Sequence, residues 1–246
     1  MKTDDPLKNG RYLRQIALQE WDQAKLEKSC VLIAGVGGLG SASSLYLAAA
    51  GIGRLRLCDP DRVEISDLNR QVLYSMSGLG KPKVEEAARR LSALNPQVAV
   101  EIFEERLGGD NIDRLAAECD LIVDGLDNPE TRFALNSYSV ERGIPYLFGA
   151  VQGWEGMATL IHPPQTGCLS CLWPLASFKA SGAVPVAGIV PGVIGLLQAT
   201  EAVKYLMGVP GTLAGRLLIY DARALTFDVL DWSKNAACPV CSPKTP

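Results

Sequence analysis

Apolar residues along the chain fall into short unbroken runs separated by stretches with helical spacing. Val31–Ala34 is one such run and predicts a fully buried strand; the spacing that follows predicts a helix over Gly40–Ala50. Arg54–Cys58 alternates Leu55 and Leu57 with arginines and predicts a second strand, which closes one βαβ unit. Pro82 opens a helix through Val84, Ala87, Ala88, Leu91 and Leu94 that Asn95-Pro96 stops, and Val98–Phe103 predicts a third strand. Asn111–Glu118 has helical spacing, Leu121-Ile122-Val123 is another buried run, and the helix Pro129–Arg142 leads to a strand over Tyr146–Val151. Upstream, Leu7 to Ser29 carries helical spacing. This order predicts an α/β fold with a doubly wound, Rossmann-like sheet, mainly parallel, whose ligands bind at the carboxyl ends of the strands.

After Gly153 the period changes. Met157–Ile161, Arg216–Tyr220 and Phe227–Leu230 alternate as antiparallel strands do, separated by a cysteine pair, a glycine-rich loop and a long helix from about Gly192 to Met207. The apolar stretch Val184 to Val203 is long enough to span a membrane, but Pro185, Pro191, Gln198 and Glu201 interrupt it, and it reads as buried loop plus helix. No hinge-like linker or internal repeat separates the parts. The expectation is one domain over 1–246: N-terminal helices over 1–29, a nucleotide-binding half over 30–152, and a second half over 153–246.

Composition adds limits. The chain has 246 residues, 48% hydrophobic and 21% charged, enough for a sizeable core. A formal net charge of −3 and a pI near 5.3 argue against nucleic acid or an acidic membrane as partner, since neither would find a cationic excess. The opening Met1-Lys2-Thr3-Asp4-Asp5-Pro6 lacks the apolar core of a signal peptide, so the expected compartment is the cytoplasm.

The candidate chemistry begins where the first strand ends. Gly35, Gly37 and Gly40 fit G-x-G-x-x-G: a tight turn, close backbone approach to a phosphate, and close packing of helix on strand. The helix that follows points its amide groups and positive dipole end at an anion. Asp59 stands about 20 residues on, where an acid holds ribose hydroxyls, and by itself leaves NAD and ATP open. The residues around it favour a triphosphate: Ser66 to Gln71 follows in an irregular loop, and Lys83 opens a helix after Gly80-Lys81-Pro82. Asp127, at the end of the fourth strand, offers a hard oxygen ligand for magnesium. Taken singly, Arg70 and Lys83 could be solvated loop charges, and Asp127 or Asn128 a helix N-cap.

Seven cysteines in a chain without an export signal disfavour a disulfide framework. Cys168-Leu-Ser-Cys171 and Cys238-Pro-Val-Cys241 are paired C-x-x-C motifs, the spacing at which thiolates chelate one tetrahedral ion, and structural zinc tying the tail to the body is expected. A redox dithiol would account for one pair and leave the other unexplained. Cys30, Cys58 and Cys119 sit at strand edges as small buried hydrophobes. The single histidine, His162, precedes Pro163-Pro164 and reads as a loop or strand-end residue.

Together these motifs resemble the MoeB/ThiF/HesA family, bacterial relatives of ubiquitin-activating enzymes, over nearly the whole chain. The matching elements run in order: Arg11-Tyr12-Leu13-Arg14-Gln15-Ile16, Gly35–Gly40, Asp59-Pro60-Asp61, Asn69-Arg70-Gln71, Gly80–Lys83, Asp127-Asn128 followed by Arg132, and the paired C-x-x-C. The resemblance implies a magnesium- and ATP-dependent adenylyltransferase. Its substrate would be the C-terminal Gly-Gly carboxylate of a ubiquitin-like sulfur carrier (MoaD- or ThiS-like), as in molybdenum-cofactor or thiamin synthesis. It implies nucleotide contacts at Gly35, Gly37, Gly38, Gly40, Asp59, Asp61, Asn69, Arg70, Gln71, Lys83, Asp127 and Asn128. Arg70, Lys83 and Asp127 would act in the reaction, and Arg14 would reach the partner's site in a homodimer. Carboxylate attack on the α-phosphate brings two anions together, so fixed cations and a metal suit that step without any histidine.

Two positions depart from the pattern. Ser181 stands where members with a covalent step carry a cysteine; a serine with no base in sight is a weak nucleophile, so the reaction is expected to stop at the acyl-adenylate and leave a separate sulfur donor to finish. Asp67 stands where members often have Asn, and its charge would weaken ATP binding unless it faces the metal or Arg70. Three other readings remain: an adenylating enzyme of a peptide or small-molecule pathway, an NAD-dependent oxidoreductase, and a scaffold without turnover.

Overall fold

A computed structural model of the chain describes residues 6–173 and 185–242. Eight strands form one continuous sheet in the order β3-β2-β1-β4-β5-β6-β7-β8. Strands β1 (Cys30–Ala34), β2 (Arg54–Cys58), β3 (Ala99–Phe103), β4 (Leu121–Asp124) and β5 (Tyr146–Gln152) are parallel. Strands β6 (Glu155–Ile161), β7 (Arg216–Asp221) and β8 (Thr226–Asp231) add antiparallel pairs to the β5 side. The parallel order is doubly wound, and it reverses between β1 and β4, which places a crevice at the carboxyl ends of those two strands. Burial follows the topology: every residue of β1 and β4 is buried, whereas β8, paired on one side alone, is exposed throughout.

The helices deviate from the periodicity in instructive ways. The N-terminal helices expected over 1–29 are α1 (Pro6–Ile16) and α2 (Gln23–Leu26). Asp22 starts the second by accepting the Lys25 amide at 3.1 Å. Helix α3 (Gly38–Ala50) begins two residues before the expected Gly40, because the Ser41 amide already donates to the Gly37 carbonyl. Helix α4 (Lys83–Leu94) matches the expected span, while α5 (Ile112–Leu115) is shorter than Asn111–Glu118. Helices α6 (Pro129–Arg142) and α7 (Leu169–Leu172) precede α8 (Ile189–Met207). The last starts before the expected Gly192, since Pro191 falls in its first turn, where its missing N–H costs nothing. Helices α3 and α8 pack side by side over the sheet, where a Cβ on Gly195 would meet the Leu39 carbonyl. No described helix is long and apolar enough to cross a membrane.

Candidate active site and metal centre

The glycine turn is shaped by close contact and then pinned by side chains. Gly35 has φ +88°, a backbone state that favours glycine, and a Cβ there would sit 2.8 Å from the Gly125 carbonyl oxygen. A Cβ on Gly40 would collide with the Gly35 carbonyl, so helix, turn and the β4 loop meet backbone to backbone. Val36, inside the turn, is tied at both ends. Its amide donates to Asp59 Oδ2 at 2.8 Å, and its carbonyl accepts from Tyr74 Oη at 2.8 Å and Ser41 Oγ at 3.0 Å.

Asp59 is buried at the end of β2, and its other oxygen accepts the Asp61 amide at 2.9 Å. Desolvation pushes its pKa above the ordinary carboxylate value, against the lowering effect of those amide bonds and of Lys83. Of the residues expected at the nucleotide, Asp59 thus holds the turn itself.

Asp67, Arg70, Gln71 and Lys83 form one cluster. Asp67 is 5% exposed and lies in a short 3-10 turn (Ile65–Asp67). Its Oδ1 accepts from Gln71 Nε2 at 2.7 Å and from Arg70 Nη2 at 3.4 Å. Its Oδ2 accepts the Glu64 amide at 3.0 Å and lies 3.5 Å from Lys83 Nζ. The departure at position 67 therefore faces Arg70 and Lys83, and four donors converge on it. Lys83 is also buried and lies 3.2 Å from Asp61 Oδ2, so two carboxylates balance its charge. Arg70 folds back over the same turn, donating to Ser66 O at 2.7 Å and Asn69 Oδ1 at 3.1 Å. Gln71 Oε1 is buried with no hydrogen-bond partner.

The start of α8 closes this side: a Cβ on Gly38 would sit 2.8 Å from Pro191 Cβ and 3.7 Å from Arg70 Cγ, and one on Gly188 2.5 Å from the Asn69 carbonyl oxygen. Asp127 is exposed after β4 and has no hydrogen bond or ion pair among the described residues. Its neighbour Asn128 is the N-cap of α6, accepting the Thr131 amide at 2.9 Å. Arg14, at the end of α1, is exposed and likewise unpaired among the described residues. Ser181 lies outside the described residues.

Sequence reasoning passed over the polar group beneath the Asp127 loop. Asp124, Tyr146 and Gln198 are fully buried there, joined by the Arg132 of the quoted motif. The signal available was an aspartate ending an otherwise apolar strand.

The four C-x-x-C cysteines come together as a cluster. Their sulfurs lie within 4.8 Å of one another, with Cys168 Sγ 3.6 Å from Cys238 Sγ and Cys171 Sγ 3.4 Å from Cys241 Sγ. A tetrahedral zinc site with bonds near 2.3 Å separates its sulfurs by about 3.8 Å, which these spacings fit. Helix α7 carries one pair and is anchored by its Leu169 amide, which donates to Asn136 Oδ1 at 2.7 Å. The other pair lies near the C-terminus, so the cluster joins tail to body.

A doubly wound sheet with a glycine turn, an acid at the next strand end, and a buried lysine and half-buried arginine beside it defines a nucleotide-binding protein. The ThiF family pattern matches residues 12–240. The chain is 41% identical to a sulfur carrier protein adenylyltransferase of Thermus thermophilus, covering 94% of this chain and 90% of that one. It is 38% identical to a sulfur carrier protein ThiS adenylyltransferase of Escherichia coli, covering 94% of both. Among solved structures, E. coli MccB with ATP superposes with a TM-score of 0.83 at 26% identity, over 95% of this chain and 75% of that one. The chain belongs to the ThiF family, and it is an adenylyltransferase. That membership displaces the oxidoreductase reading.

Proposed function

We propose that this adenylyltransferase activates the C-terminal Gly-Gly carboxylate of a ubiquitin-like sulfur-carrier protein. The carboxylate attacks the α-phosphorus of ATP; a carbon–oxygen–phosphorus linkage forms, the bond to the β-phosphate oxygen breaks, and pyrophosphate leaves. The observation that carries the reading is the gathering of the α3 N-terminus, Arg70 and Lys83 beside the β1/β4 crevice, with the free carboxylate of Asp127 on the loop after β4. The helix end and both cations suit the triphosphate, and Asp59 with Asp61 lies where a ribose would rest. Asp127 would hold Mg2+, which supplies charge neutralisation on the phosphates when bound. The relatives at about 40% identity, both named for carrier-protein adenylylation, support the same substrate class.

Two exposed surfaces support the partner reading. Phe227, Val229 and Leu230 of β8 are exposed, and they support assigning carrier docking to the half over 153–246. Leu18, Tyr46 and Leu196 line an apolar groove of about 660 Å³ between α1, α3 and α8, with Leu13 and Ile16 exposed nearby. That face supports a homodimer, with Arg14 at its edge free to reach the partner's nucleotide. The cysteine cluster would hold Zn2+. With serine at position 181, the reading stops at the acyl-adenylate and leaves the covalent step to a separate sulfur donor.

Pyrophosphate exchange tests the function. Exchange is expected with Mg-ATP and a Gly-Gly-terminated carrier, and not with the same carrier shortened by its last glycine. Exchange that instead follows a free peptide carboxylate would replace the carrier by a peptide-pathway substrate.

A further inference from the structure

We propose that Tyr146 and Asp124 are positioning residues that hold the Asp127 loop for adenylation, an inference that rests on the role given to Asp127 above. Asp124 ends β4 and is 0% exposed. Its Oδ1 accepts the Leu126 amide at 2.9 Å; its Oδ2 accepts the Tyr146 hydroxyl at 2.6 Å and lies 3.0 Å from Arg132 Nε. Arg132 Nη2 then donates to the carbonyls of Leu126 at 2.6 Å and Gly149 at 2.8 Å, with its guanidinium 5.2 Å from the centre of the Phe148 ring.

The contacts converge on one backbone unit. Both the amide and the carbonyl of Leu126, the residue immediately before Asp127, are bound by this buried group. On the other side Asn128 is fixed as the α6 N-cap. Asp127 thus projects from a loop clamped at both flanks while making no side-chain hydrogen bond or ion pair of its own among the described residues. Helix α8 adds a strut, with Gln198 Nε2 donating to the carbonyls of Asp124 at 2.8 Å and Leu147 at 3.1 Å.

A carboxylate, a guanidinium and a phenol away from water are costly, and a buried ion pair by itself adds little net stability. What the polar set adds is direction: it fixes hydrogen bonds to a loop that apolar packing would leave free to shift. A functional carboxylate held on a loop needs such support, because displacement of about 1 Å costs rate steeply.

The test compares Tyr146→Phe, Asp124→Asn and Asp127→Ala with wild type in the full chain. Pyrophosphate exchange gives kcat, the KM for ATP and the Mg2+ concentration for half-maximal rate. Thermal melting gives Tm, and electron paramagnetic resonance gives Mn2+ affinity with ATP bound and no carrier present. Tyr146→Phe keeps the ring and removes only the hydroxyl from Asp124. Its kcat is expected to fall about 10-fold, and its need for Mg2+ and Mn2+ to rise several-fold, with the KM for ATP near wild type and Tm lowered, because the buried Asp124 carboxylate loses a donor. Asp124→Asn should move the same quantities further in the same direction. Wild-type kcat and Mn2+ affinity in Tyr146→Phe, with Asp127→Ala inactive, would overturn the proposal. So would a loss of activity that tracks Tm and leaves Mn2+ affinity unchanged. Full activity in Asp127→Ala would instead remove the role assigned to Asp127, and this proposal with it.

Discussion

The ammonium of Lys83 lies 3.5 Å from Asp67 Oδ2, and both side chains are buried. Asp67 collects four donors, and a carboxylate accepts at both oxygens. Asparagine in its place would turn an NH2 group toward some of them. Asp67→Asn should therefore lose about 1–3 kcal/mol of stability in urea titrations. An unchanged unfolding midpoint would contradict the four-donor account.

Asp127 and Asn128 are adjacent and should respond in opposite ways. Asp127→Ala removes an exposed carboxylate with no hydrogen bond or ion pair among the described residues, and should leave Tm unchanged while lowering exchange activity by about 100-fold or more. Asn128→Ala removes the α6 cap and should cost about 1 kcal/mol of stability with a smaller effect on rate. Paired melting and exchange measurements check both.

The cysteine cluster should bind one zinc per chain, read by metal analysis of the purified protein. Cys238→Ser should release the metal and lower Tm, because the tail loses its bond to α7. Its KM for ATP should change little, since the crevice is built from β1, β2, β4 and α8.

Cys58 gives a pH signature. Burial, with smaller contributions from Glu105 and Asp59, raises its thiol from 9.0 to about 12. From pH 9.0 to about 12 the unfolded chain has released a proton that the folded chain keeps, so the sign is a loss of stability with rising pH. The slope is up to ~1.4 kcal/mol per pH unit for this one group. Urea unfolding of wild type and Cys58→Val at about pH 8 and about pH 10 should show the wild type losing more. Equal losses would mean that Cys58 ionises without restraint in the folded protein.

Parallel strands, the glycine turn and the paired C-x-x-C were readable because each depends on spacing within a short stretch. Strand β1 was legible in full as far as its buried run, and α4 from its proline start to Asn95. The start of α3 was misplaced by two residues because glycine hides whether a turn is already helical; the hydrogen bond from Ser41 to Gly37 settles it. The N-terminal helices expected over 1–29 are α1 and α2, and the Asp22 cap fixes where the second begins.

The sequence by itself determined the doubly wound class, the glycine turn at Gly35–Gly40 and the paired C-x-x-C, since periodicity and motif spacing are properties of the covalent chain. Only the tertiary structure decided how those residues are used. It turned Asp67 toward Arg70 and Lys83, gave Asp59 to the Val36 amide, made Asn128 a helix cap, and buried Asp124 with Tyr146 and Arg132 under the Asp127 loop. Each is a pairing of donor with acceptor that local spacing leaves open. Burial removes water as the competing partner, and the neighbour brought close by packing then sets the orientation and charge of the side chain.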